Sequence, residues 1–140
     1  MAYAADYSEE MLKVCRACPI TESIELSKQD IYSTTFSAQT FSVILSSRFL
    51  FQSDDQDRLF SEFERLLEPH GYLIFDGLRW SPRAWTRLFS QTLGGGIYTN
   101  SDQSVCELAR AHGFKVVDSK SILMLPSFVY NFVPSILMRP

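Results

Sequence analysis

The sequence predicts an α/β domain built on a doubly wound, mostly parallel sheet with helices on both faces. Two observations predict it. Short apolar runs of strand length, at residues 3–5, 41–45 and 72–75, alternate with amphipathic stretches of helical period. The turns between them carry N-caps, prolines and glycines where helices should start and stop. At 140 residues the chain fits a single domain spanning 1–140, large enough for a core.

The elements follow in order. Residues 3–5 read as the end of a buried strand. Ser8 suits the N-cap of a helix over 9–17, and Glu9 and Glu10 complement its positive end. Met11, Leu12 and Cys15 form that helix's apolar face, and Pro19 stops it. Residues 23–28 alternate polar and apolar, as a half-exposed strand near a sheet edge does. Residues 29–40 read as loop. Residues 41–45, β-branched and apolar, read as a buried central strand. Residues 54–67 form the clearest helix: Leu59, Phe60, Phe63, Leu66 and Leu67 share one face, and Asp54, Asp55 and Asp57 crowd its first turn. Glu68-Pro69-His70-Gly71 is a turn that needs a His at positive φ, and 72–75 is the next buried strand.

Ser81-Pro82 opens a helix to about residue 93, ended by Gly94-Gly95-Gly96. A further helix runs from Ser101 or Asp102 to about His112 and is closed by Gly113. Residues 114–118 and 121–125 are predicted to pair as an antiparallel C-terminal hairpin. The apolar stretch 122–138 is interrupted by Pro126, Asn131 and Pro134, so it reads as a strand and an irregular apolar tail. No membrane span is expected.

Thirteen basic against sixteen acidic residues give a net charge of −3, which provides no footprint for nucleic acid or an anionic membrane. Three cysteines, an odd number, argue against a disulfide framework and for a reducing, cytoplasmic setting. The N-terminus lacks the basic start and apolar run of a signal peptide. Cys15 and Cys18 make one Cys-x-x-Cys with Cys106 distant, so no metal site is expected. His70 and His112 show no Asp or Ser partner along the chain.

Four segments, taken together, resemble the class I S-adenosylmethionine-dependent methyltransferases of the type 11 kind. The run 2–12, a strand ending in Asp6 followed by Tyr7, Ser8 and then Met11-Leu12, resembles the family's second-strand motif. Gln29-Asp30-Ile31 resembles the motif after the third strand. Residues 41–47 resemble the fourth strand, and 65–74 resemble the turn before the fifth. The resemblance implies a Rossmann-like fold, S-adenosylmethionine as cofactor, and methyl transfer to a small-molecule acceptor. The sequence departs from the family in beginning at its second strand. The first strand, the glycine-rich loop and the first helix are absent, so the chain reads as N-terminally truncated. Ser42 stands where the family usually has Asp, and His70 where it usually has Gly. An open sheet edge should follow, to be filled by direct pairing of the flanking strands, by a homodimer partner, or by another chain supplying the strand.

The resemblance also implies roles. Asp6, with Tyr7 beside it, would accept the ribose hydroxyls, against the plainer reading of a loop acid near a helix dipole. Asp30 would accept the adenine amino group with Ile31 against the ring, or simply start a turn. Met11 would pack on adenine, or on core. Ser46 and Ser47 would lie near the methionine part, or serve only as small residues at a crowded strand end. Arg48, Phe49, Phe51 and Trp80 would face the acceptor, with Asp76, Arg79 and Trp85 in the same polar-aromatic group. The apolar tail and many Phe point to an apolar acceptor or a partner surface. No catalytic base is identified. The competing function is a non-catalytic Rossmann-like module that pairs through its open edge. A minor alternative is an apolar-tailed protein on a membrane surface.

Overall fold

A computed structural model describes residues 1–19, 23–80, 102–119, 122–124 and 130–140; side chains at 51, 78–80, 102, 119, 122–124 and 130–134 lie outside the description. The chain divides into two compact units, Met1–Phe36 and Ser37–Pro140.

The first unit is a strand-helix-strand. Strand β1 (Ala2–Asp6) leads into helix α1 (Glu9–Arg16), and β2 (Ile24–Lys28) returns parallel to β1, with Ala2 opposite Ile24 and Asp6 opposite Lys28. Parallel neighbours require such a crossover. As expected, Ser8 caps α1: its Oγ accepts from the Met11 amide at 3.3 Å. Glu9 and Arg16 pair at 2.7 Å along the helix. Of the predicted apolar face only Leu12 is buried; Cys15 is half-buried and Met11 exposed. The expectation that residues 3–5 end a buried strand is corrected, because four of the five β1 residues are exposed. Tyr3 instead meets the Phe36 ring edge-on, 5.6 Å between centroids.

The second unit holds a five-stranded sheet. Among the described residues its strands are β3 (Phe41–Ser46), β4 (Leu67–Trp80), β5 (Lys115–Ser119), β6 (Ile122–Met124) and β7 (Tyr130–Met138), and its helices are α2 (Gln56–Leu66) and α3 (Asp102–Ala111). A short 3-10 turn, Leu50–Gln52, follows β3. The order is β3-β4-β7-β5, with β6 also on β7; β3 and β4 pair parallel, and β5, β6 and β4 all run antiparallel to β7. The predicted hairpin between 114–118 and 121–125 is therefore replaced, since both of those strands pair with β7. The predicted irregular tail is an interior strand. Its pairing with β4 runs from Asn131 to Met138, with Pro134 opposite Asp76.

The core lies where α2 meets the sheet. Asp55 caps α2 through the Arg58 amide at 3.0 Å, and the predicted stripe Leu59, Phe60, Phe63, Leu66 and Leu67 is buried throughout. Leu73, Phe75 and Leu137 come up from the sheet. Phe60 is the hub, with ring centroids 5.7 Å from Phe75, 6.1 Å from Phe63 and 6.1 Å from Phe114. Burying a side chain of this size contributes about 1.5–3 kcal/mol. Glu62, also buried, is held by a two-pronged bond from Arg65 at 2.6 and 2.8 Å, which raises the Arg65 pKa. The last α2 carbonyls accept from the Gln39 and Thr40 amides ahead of β3, tying helix end to strand start.

The reading of 41–45 as a buried central strand is corrected. Among the described residues β3 pairs only with β4 and forms the sheet's edge. Val43 is 51% and Leu45 72% exposed. They share a face with their β4 neighbours Tyr72 and Ile74, opposite the face covered by α2. The expected turn at 68–71 lies instead within the irregular start of β4, where His70 does have positive φ, 66°, and His70 and Gly71 exchange backbone bonds with Arg139 at 2.9 and 3.0 Å.

Candidate functional site

In open α/β sheets ligands bind at the carboxyl ends of parallel strands. Among the described residues each unit has one such pair of ends, and Asp6, Asp30 and Ser46 lie at them, while Met11 is on α1.

In the first unit the carboxyl ends of β1 and β2 are tied by the Gln29 amide, which donates to the Asp6 carbonyl at 3.1 Å. This brings Asp6 and Asp30 to neighbouring strand ends. Asp6 Oδ1 accepts from the Ser8 amide at 2.7 Å, and Asp30 Oδ1 accepts from the Tyr32 amide at 2.9 Å. The second oxygen of each carboxylate has no protein partner among the described residues. Both side chains are exposed, Ile31 is half-buried, and Tyr7 lies outside with the Lys28 ammonium 5.6 Å from its ring centre. Gln29 organises the loop behind them: its Nε2 donates to Ser27 and Thr35 at 2.8 and 2.9 Å, and its Oε1 accepts from the Thr35 amide. That role for Gln29 was hidden in a stretch read only as loop; polar residues at 27, 29 and 35 were the available signal.

In the second unit the carboxyl ends of β3 and β4 meet at the Ser46–Phe75 pair. Ser46 is half-buried, Arg48 exposed and Phe49 half-buried. Arg48 has φ 61°, a left-handed conformation that costs a non-glycine residue about 1–2 kcal/mol. Asp76 holds it: one carboxylate oxygen accepts from the Arg48 amide and the other from the Ser47 hydroxyl at 3.5 Å. The sequence grouped Asp76 with Arg79, Trp80 and Trp85. The side chains of Arg79 and Trp80, like Phe51, lie outside the described set, as does Trp85 altogether.

The expectation that His112 lacks an acidic partner is corrected. Its Nε2 is 3.0 Å from Asp57 Oδ1, on α2, and its ring lies over Phe60 at 5.9 Å. A partner 55 residues away leaves no local spacing to read. No Ser or Cys completes a triad with this pair among the described contacts. Cys15 is half-buried and Cys18 exposed, and the described residues contain no group of three or more His, Cys, Asp or Glu that would hold a metal ion. No described helix is long and apolar enough to cross a membrane.

The strand ends carry donors and acceptors suited to a nucleoside. Ribose offers two hydroxyl donors and adenine an amino donor, and the unpartnered oxygens of Asp6 and Asp30 are acceptors. This acceptor set fits the donors of an adenosyl cofactor.

Comparison with known proteins agrees. The family described as "Methyltransferase domain" matches residues 1–75. An arsenite methyltransferase from Aquipseudomonas alcaligenes is 33% identical over 92 residues, covering 61% of this chain and 26% of that protein. The chain thus spans about a quarter of the length of that curated relative. Two solved structures share the fold. One is a methyltransferase from Haloferax volcanii in complex with its activator Trm112, with TM-score 0.82 and 15% identity over 99% of this chain and 71% of that one. The other is a SAM-dependent methyltransferase from Methanosarcina mazei, with TM-score 0.79 and 12% identity over 98% and 81%. The family match over more than half of the chain, which contains the motifs at 2–12, 29–31, 41–47 and 65–74, assigns the chain to the class I methyltransferases, whose cofactor is S-adenosylmethionine.

Proposed function

We propose that the chain carries the cofactor-binding strand ends of an S-adenosylmethionine-dependent methyl transfer site acting on a small, apolar acceptor. One observation carries this reading: the family match at 1–75 contains both Asp6 and Asp30, each with a carboxylate oxygen available at neighbouring parallel strand ends. In this reading the two compact units are parts of one domain.

The residues divide the work. Asp6, beside Tyr7, accepts the ribose hydroxyls, and Asp30 accepts the adenine amino group. Ile31 and the exposed Met11 pack on the ring. The backbone at Ser46 lies alongside the methionine part. Arg48 and Phe49, on the loop leaving β3 in the second unit, are the residues proposed for the acceptor. The bound cofactor supplies a methyl group already activated on a sulfonium. Holding the acceptor in line at near contact then provides most of the acceleration. A base is required only for an acceptor that must lose a proton. The relative's arsenite is one acceptor to assay beside apolar small molecules.

Cofactor-dependent stabilisation tests the reading. Ligand at a hundredfold its Kd should add about 2.7 kcal/mol and raise the melting temperature. An unchanged melting curve at millimolar S-adenosylmethionine refutes it.

A second reading has its own observation. The β3 edge has no Lys, Pro or charge to protect it, and Val43, Leu45 and Tyr72 are exposed beside it. That favours a Rossmann-like module whose open edge takes a strand from another chain, including a second copy. Concentration-dependent association without any response to cofactor would select this reading.

A further inference from the structure

Asp76 follows the last β3–β4 pair, Ser46 with Phe75, by one residue. Its two carboxylate oxygens are both engaged, and by consecutive residues of the loop leaving β3: the Arg48 amide on Oδ1 and the Ser47 hydroxyl on Oδ2. The segment it grips is the one with a non-glycine residue in the left-handed region, Arg48 at φ 61°. On the far side Gln52 Nε2 donates to the Arg48 carbonyl at 2.8 Å, so both backbone polar groups of that residue are bonded to side chains. A strained conformation persists only when its surroundings over-determine it, and a charge-assisted bond to the amide does so strongly. A clamp of this kind at a remote turn would be simple capping. This one sits where two parallel strands end, on the loop that bears Ser46, Arg48 and Phe49.

We infer that Asp76 is a positioning residue, holding the Ser47–Arg48 backbone in its left-handed kink so that the strand-end site is formed before ligand arrives. The inference rests on the cofactor reading above. Its effect is exerted through the loop; no contact between Asp76 and ligand is invoked.

The test uses the full chain, with S-adenosylhomocysteine as the probe ligand, its affinity read by calorimetry and the Arg48 amide followed by hydrogen exchange. In Asp76→Ala the Arg48 amide should exchange at least tenfold faster and the Kd for the probe should rise at least fivefold, with the melting temperature changed by only a few degrees. Adding Arg48→Gly to Asp76→Ala should recover most of the affinity, since glycine adopts the left-handed conformation without a clamp. Asp76→Asn keeps one acceptor oxygen and should fall between. Unchanged Arg48 exchange in Asp76→Ala, in a chain that binds the probe, overturns the clamp alone. Faster exchange with unchanged affinity overturns the positioning role. A wild-type chain that does not bind the probe overturns the cofactor reading and the positioning role with it.

Discussion

The turn at residues 68–71 sets two adjacent substitutions against each other. His70 is a dihedral problem. Its φ of 66° is left-handed, its side chain is exposed, and only its backbone is needed, donating to the Arg139 carbonyl at 2.9 Å. His70→Gly removes about 1–2 kcal/mol of left-handed strain. It returns about 0.5–1 kcal/mol through the greater freedom of the unfolded chain. The net is stabilisation of about 0.5–1 kcal/mol. Gly71 is a space problem. A Cβ there would stand 2.9 Å from the Glu68 carbonyl and 3.2 Å from the Ser42 carbonyl, both backbone, and 3.0 Å from a Leu67 methyl. Neither oxygen can swing aside as a side chain would, so Gly71→Ala should cost about 2–3 kcal/mol, the upper part of the overpacking range. Urea unfolding followed by far-UV circular dichroism reads both, and in thermal melts each kcal/mol should move the midpoint by about 4 °C. A destabilising His70→Gly, or a neutral Gly71→Ala, would show that the turn is not strained and packed in this way.

Phe60→Ala removes the hub of the aromatic cluster and should destabilise the second unit by about 3–5 kcal/mol, measured by the same unfolding. Glu9 is held below the usual carboxylate range by its bond from Arg16. Because the folded-state value is depressed, its contribution is present at neutral pH and is lost as pH falls through the folded value. Wild type and Glu9→Gln should therefore differ in melting temperature near pH 7 and converge in acid, and a gap that widens in acid would contradict the assignment. Leu45→Lys places a charge on the unprotected β3 edge and should abolish any concentration-dependent association seen by sedimentation while leaving the fold intact.

Where the sequence was legible, local chemistry decided the outcome. Asp55, the stripe Leu59 to Leu67 and Ser8 specify their helices without outside help, and the structure follows them. Burial of strands was misread because an apolar run does not say which neighbours will cover it: Phe41–Ser46 looks central by composition and lies at an edge. Tyr130–Met138 was misread for the opposite reason. Asn131 and Pro134 look like breaks, yet β4 pairs with the strand from Asn131 to Met138, a partner no local pattern reveals. At the candidate site, Asp6 and Asp30 could be named from their motifs. The Asp76 grip on Ser47 and Arg48 could not, because it joins residues 28 and 29 positions apart.

The central claim is that the carboxylate at the end of β1 holds the sugar of an adenosyl cofactor. Calorimetric titration of the full chain with S-adenosylhomocysteine, in wild type and Asp6→Ala, measures this directly. Charge-assisted bonds of about 1.5–3 kcal/mol predict saturable binding by the wild type, weakened by roughly ten- to hundredfold in the variant. Equal affinity in the two proteins, or no binding heat from the wild type, would contradict it.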